Sequence, residues 1–222
     1  MTIDITSLKS SPYFSGLSDS ILNSLAGYVF EKKADRGEII VYEGESAEAL
    51  YFVVSGVVKV FKTSADGKEQ IFGIIRPGET FNDVPVLSGG ENLISAGAMS
   101  SIVLNGIKKK DMESIIKENP QVALNVVHVL SRRVQELVSM VEDFSFRHVS
   151  GRVAKILLEY ALDVSSGRPK LTQQEMASMI GTAREMVGRS LKSLEREGAI
   201  RMERNRIVIT DQKTLKELAG IS

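Results

Sequence analysis

LTQQEMASMIGTAREMVGRSLKSLE, residues 171–195, has the spacing of two short amphipathic helices joined at a glycine. Thr172 and Glu175 stand three apart, as in a capping box whose side chains satisfy two orphan amides at a helix start. Met176, Ala177 and Ile180 give the first helix an apolar face, and Gly181 admits the left-handed backbone of a sharp turn. In the second helix Val187, Leu191 and Leu194 recur at i, i+4 and i+7 and pack inward. Arg184, Glu185 and Arg189 are left on the outer face. An arginine fork matches guanine O6 and N7, and a carboxylate accepts from cytosine N4, so this helix carries the groups that read base edges in a major groove. The segment reads as a helix-turn-helix.

A helical hairpin of an ordinary core is the plainer alternative, and Glu185 has a local role open to it, since Thr182 three residues earlier completes a second capping-box spacing. The residues that follow favour the DNA-binding reading. AIRMERNRIVIT, residues 199–210, forms two strand-like runs about a polar turn at Glu203 to Asn205, the pattern of a wing.

Composition bounds the rest. The chain has 222 residues, 43% of them apolar, enough for real cores. No stretch approaches the roughly 18 apolar residues of a membrane span, and the first residues lack the basic-then-apolar order of a secretory signal. There are no cysteines, which excludes disulfides and cysteine-ligated clusters from this chain. A cytoplasmic location is expected. Net charge is zero overall, but residues 149–222 carry 13 Lys+Arg against 9 Asp+Glu. A basic C-terminal part and an acidic front part suit a DNA-binding module joined to something else.

The front part, about residues 28–104, reads as β structure. EIIVY, ALYFVVSG, VVKVFKTS, EQIFGII and ISAGAMSSIVLNG are short, rich in β-branched residues and separated by turn signals such as Ala65-Asp66-Gly67 and Arg76-Pro77-Gly78. Such spacing predicts a small antiparallel barrel or jelly roll, with the helical segment LSDSILNSLAGY on its end. A long helix is predicted over 120–146, with proline in its first turn. It is apolar on more than one face. One stripe covers the barrel, and Val126, Leu130, Val134, Leu137 and Val141 are expected to pack on a second copy as in a short coiled coil; burial of the helix within one chain is the alternative. Phe146 to Ser150 form a junction without a flexible linker, with Ser150 or His148 near the cap of the next helix. The fold class is therefore α+β, in three segments: a β-barrel sensor over 1–118, a dimerisation helix and hinge over 119–147, and a winged helix-turn-helix over 148–222.

This order resembles the cyclic-AMP receptor and FNR superfamily of bacterial transcription regulators over nearly the whole chain. RGEIIVYEGESAEALYFVVSGVVKVF resembles the start of that family's barrel, and Arg76-Pro77-Gly78-Glu79-Thr80-Phe81 the glycine turn entering its effector pocket. VSGRVAKILLEYA and GTAREMVGRSLKSLEREGAI are also similar. The resemblance implies a homodimer on double-stranded DNA, a palindrome close to TGTGA-N6-TCACA read by Arg184, Glu185 and Arg189, and RNA polymerase as a partner, with activation and repression both open. Thr172, Gln173, Lys192 and Arg204 are candidates for phosphate contacts. Ala183 stands where the family commonly has serine, and Thr182 is the residue available to take over that cap.

The sensor part departs from the family's cyclic-nucleotide binders. By the resemblance, Asp83 stands at the glutamate that holds the ribose, and Leu93-Ile94 where an Arg-Ser pair holds the cyclic phosphate. No Lys or Arg occurs over positions 77–107, and a buried phosphate without such a donor is strongly unfavourable. Leu137 and Val138 replace the groups that would meet the base. These features argue against cyclic AMP. They leave an apolar pocket candidate lined by Phe81, Val84, Leu93, Ile94, Leu137 and Val138, with Asn82 and Asp83 as its polar contacts. Three occupancies are open: haem sensing a gas such as NO or CO, with His128, His148 or a methionine as axial ligand; an apolar or aromatic organic effector; or no ligand. An enzyme is not indicated, because no nucleophile–histidine–acid set, phosphate loop or metal spacing appears. The remaining rival is a ligand-binding module whose helix-turn-helix binds DNA weakly.

Overall fold

A computed structural model describes residues 8–161, 171–203 and 206–221. They form two compact units, one of residues 1–62 and 72–136 and one of 63–71 and 137–222. The helix expected to stand alone over 119–147 is divided between them.

In the first unit, α1 (Asp19–Leu25) starts at Ser18, whose hydroxyl accepts the Ile21 amide. Eight strands follow: β1 (Val29–Ala34), β2 (Ile39–Val41), β3 (Ala49–Ser55), β4 (Val58–Thr63), β5 (Glu69–Ile75), β6 (Thr80–Phe81), β7 (Ser95–Ala98) and β8 (Ile102–Lys108), of which Thr63 and residues 69–71 are counted with the second unit. They make two four-stranded sheets, ordered β1-β8-β3-β6 and β2-β7-β4-β5. The inward residues of both sheets share one apolar cluster, including Val41, Tyr51, Val53, Val60, Phe81, Ala96 and Leu104. Tyr51 stacks on Phe81 with ring centroids 5.2 Å apart, and burial, followed by Glu48, raises the Tyr51 pKa. Phe30 faces Gly106 across the β1–β8 ladder; its ring lies where a Cβ on Gly106 would be, 2.3 Å from Cζ. A second cluster lies beside the sheets and includes Tyr13, Phe14, Leu50, Phe52, Met112 and Val122.

A short helix, α2 (Asp83–Ser88), interrupts the strands after β6. The turn reading of this segment misses it. Asn82 before it takes a left-handed conformation, φ 63°, which asparagine tolerates better than most residues. After α3 (Lys109–Glu118) comes α4 (Pro120–Phe146), with the bounds read from the sequence.

In the second unit, α5 (Val149–Ala161), α6 (Gln173–Ile180), α7 (Arg184–Arg196) and α8 (Gln212–Leu218) surround one core with the hairpin β9 (Ile200–Glu203) and β10 (Arg206–Ile209). The hairpin pairs antiparallel, Ile200 opposite Ile209, as the wing pattern predicts.

Candidate nucleic-acid interface

The recognition segment folds as its spacing requires. Thr172 Oγ1 accepts the Glu175 amide at 3.1 Å, and Glu175 Oε2 accepts the Thr172 amide at 2.7 Å, closing the capping box. Gly181 ends α6 at φ 63°. Val187, Leu191 and Leu194 are buried with Met176, Ala177 and Ile180 of α6 and Val153, Ala154 and Leu157 of α5. Burial of that stripe fixes the rotation of α7 and turns Arg184, Glu185, Arg189 and Lys192 into solvent. Among the described residues none of these four has an ion-pair partner.

The second capping box does not form. Ala183 is the N-cap of α7 and makes no side-chain cap bond; the helix starts one residue later than Thr182 capping requires. Glu185 therefore has no capping role and stays available on the outer face. Thr182 is half-buried, with its amide on the Ala177 carbonyl. Gln173 lies against the recognition helix, its Oε1 3.5 Å from where a Gly188 Cβ would stand. Arg204 lies outside the described residues. The wing is tied to α7 by Glu195, whose Oε1 accepts the Met202 amide at 2.7 Å.

A depression of about 430 Å³ separates the start of α5 from α7. His148 and Ser150 line one side, and Arg189, Ser190, Ser193 and Arg196 the other. This is a concentration of cationic and hydroxyl donors suited to a phosphate. Sequence reading weighed His148 only as a junction or haem residue and passed over Ser193 and Arg196. Their i+4 and i+7 relation to Arg189 puts them on one helix face and is the signal that was present.

Where α4 meets α5, Asp143 of α4 accepts from Arg147 Nε at 2.6 Å and from Lys155 Nζ of α5, and Lys155 also donates to Ser139 Oγ at 3.2 Å. The Arg152 guanidinium lies 5.3 Å from the Phe144 ring centroid.

The proposed effector residues do not share one environment. Phe81 is in the sheet core, and Ile94 packs against that cluster. Val84 and Leu93 are exposed, and so are Leu137 and Val138, which belong to the second unit. Asn82 Nδ2 donates to the Ala49 carbonyl at 3.0 Å. Asp83 is 1% exposed. Its Oδ2 accepts the Tyr13 hydroxyl, and its Oδ1 accepts Arg133 Nη1 and the Val84 amide. Both polar residues assigned to a ligand are thus engaged by the protein itself. His128 and His148 are exposed, whereas an axial haem ligand must point into an apolar pocket; neither fits that role. The dimer residues also divide. Val126 is buried and Leu130 partly buried against the first unit's core, so they face their own chain. Val134, Leu137 and Val141 are exposed, joined by Leu124, Val127 and Val138.

A two-sheet β domain followed by a helix-turn-helix, whose second helix carries outward arginines, and a wing defines a DNA-binding transcription regulator. Residues 31–119 match the cyclic nucleotide-binding domain family and residues 151–218 the Crp-like helix-turn-helix domain family. The Cyclic AMP receptor protein of Thermus thermophilus is 31% identical over 212 residues, 96% of this chain and 98% of that protein. The CRP-like cAMP-activated global transcriptional regulator of Mycobacterium tuberculosis is 28% identical over 213 residues, 93% and 95% of the two chains. The solved structure of FixK2 from Bradyrhizobium japonicum shares the fold with a TM-score of 0.77 at 23% identity, over 87% of this chain and 98% of that one. The chain belongs to the CRP/FNR family of transcription regulators. It is a regulator of that family and not an enzyme.

Proposed function

We propose that this regulator acts in the cytoplasm as a homodimer on a palindrome close to TGTGA-N6-TCACA, and answers to an effector other than cyclic AMP. The observation that carries the DNA reading is the outer face of α7. Arg184, Glu185 and Arg189 stand exposed, with Val187, Leu191 and Leu194 fixing their direction. Arg184 and Arg189 read guanines and Glu185 the opposing cytosine. Thr172, Gln173, Lys192 and Arg204 and the depression beside His148 and Arg196 take phosphates, which position without specifying. RNA polymerase is the partner once the operator is bound.

The dimer reading rests on α4. Leu124, Val127, Val134, Val138 and Val141 are all at least half exposed and follow alternating steps of three and four residues with Ser131 between, the seam of a two-stranded coiled coil. This seam replaces Val126, Leu130 and Leu137 of the expected set and keeps Val134 and Val141.

Both curated relatives described above are named for cyclic AMP. Here Asp83 and Asn82 are already hydrogen-bonded within the chain, and positions 77–107 supply no cation for a phosphate. Selection of bound sequences from a random DNA library, followed by anisotropy on the enriched palindrome with and without cyclic AMP, tests the proposal. Enrichment of TGTGA half-sites with unchanged affinity on adding cyclic AMP is expected. A different motif refutes the base assignments, and calorimetric binding of cyclic AMP with tighter operator binding refutes the effector reading.

A further inference from the structure

Three segments far apart in sequence meet at Asp83. The N-terminal turn brings Tyr13, which is fully buried. The start of β6 brings Thr80, and α4 brings Arg133. The guanidinium is divided: Nη1 pairs with Asp83 Oδ1, while Nη2 donates to the Thr80 carbonyl and to Thr80 Oγ1 at 3.0 Å. With the Tyr13 hydroxyl and the Val84 amide, the carboxylate has three donors.

Arg133 continues the stripe of α4 that faces the first unit. Val122 and Val126 are buried in that core, and Val129 and Leu130 pack against it. At about 100° per residue, Val134, Val138 and Val141 lie about a third of a turn away. An apolar side chain at position 133 would tolerate small rotations of the helix. A guanidinium holding three acceptors of fixed direction does not, and selection of one geometry is the best-attested use of a buried polar group in a helical interface.

We infer that the Tyr13–Asp83–Arg133–Thr80 network is a clamp that sets the rotation of α4 from within the chain, so that the seam centred on Val134, Val138 and Val141 is the face offered to a second copy. This rests on the dimer reading above. The clamp occupies Asp83, the one polar residue that the resemblance places against a ligand's ribose, so the helix is held in phase without a ligand.

The absence of cysteines allows a direct test. Val138→Cys and Leu137→Cys are made separately in the otherwise unchanged chain and oxidised. A disulfide demands Cβ atoms about 4 Å apart, so cross-linking at the seam centre is expected to exceed that one residue aside by about tenfold. In the Arg133→Met background the preference is expected to fall toward parity. Asp83→Asn with Arg133→Met, which removes both charges, gives the same result should the single change unfold the unit, with far-UV circular dichroism confirming the fold. Retention of the full preference in a folded clamp variant overturns the clamp alone. Failure of both cysteines to cross-link, with a monomer in sedimentation equilibrium, overturns the dimer reading and the clamp with it.

Discussion

Asp143→Asn is expected to loosen the start of α5 by about 2 kcal/mol, because one carboxylate joins α4 to α5. The Asp143 side chain is 15% exposed and serves two cations, Arg147 at 28% and Lys155 at 21%. Hydrogen bonds to charged groups contribute about 1.5–3 kcal/mol each, so losing both outright would cost about 3–6. The amide oxygen of asparagine still accepts one bond, and water reaches both partly exposed cations, which brings the loss below that range, to about 2 kcal/mol. Arg147 has little to fall back on, since its Nη1 is buried without an acceptor among the described residues. Amide hydrogen exchange reads the loss locally, where a global unfolding curve for a two-unit chain would not. About 2 kcal/mol corresponds to about 30-fold faster exchange over α5, with the β-sheet amides unchanged. Lys155→Met should give a smaller acceleration, and the double variant less than the product of the two, because both changes break one network. Acceleration below about threefold in Asp143→Asn would refute the assignment of Asp143 as the anchor of the hinge, leaving the stacking of Arg152 on Phe144 to hold it.

Arg189→Ala should cost about 1–3 kcal/mol of operator affinity and relax preference at one base pair, whereas Lys192→Ala should weaken all sequences alike and flatten the salt slope by about one unit. Anisotropy on single-base operator variants at several salt concentrations separates the two; uniform loss in Arg189→Ala contradicts its role in base reading. Gly106→Ala should destabilise the first unit by about 1–3 kcal/mol, because the Phe30 ring must leave its place over the glycine; the urea midpoint of the β-sheet signal checks it, and an unchanged midpoint contradicts it. Tyr13 is held neutral by burial and then by the Asp83 carboxylate, which raise its pKa in the folded state. Its contribution is therefore full below the unfolded pKa of about 10 and declines as pH rises above it. Tyr13→Phe should lose less stability than the unchanged chain between neutral and strongly alkaline pH, and parallel losses in a denaturant series would count against this.

What the sequence displays and what it conceals differ by range. Thr172 and Glu175 are three residues apart and Gly181 follows within a turn, so short-range rules contain the whole geometry, and the two helices form as read. The same holds for the wing and for α4, whose apolar spacing extends over 27 residues. The misreading at Thr182 is a slip of one residue at a helix start, where serine, threonine and alanine differ in capping but not in the inward stripe. At α4 periodicity shows that two faces are apolar but not which stripe is taken by the chain's own core. Val126 and Leu130 fall to the chain's own core because the cluster that buries them includes residues more than 70 positions away, such as Tyr13 and Leu50, which no local periodicity reveals.

Asp83 is the extreme case. In sequence it is an acidic residue after a glycine turn, free to meet a ligand; in the fold its partners are 70 residues before it and 50 after it. No local pattern announces Tyr13 or Arg133 as donors, since one lies in a serine-rich turn and the other reads as one of two arginines on a helix surface. The DNA-reading end must keep its polar groups unpaired until a base edge arrives, and such groups stay visible as outward residues on a patterned helix. The sensor end has done the opposite, pairing its polar groups internally, and pairing across long sequence distances leaves no periodic trace. That difference, more than any shortage of information at the front of the chain, is why the output was legible and the input was not.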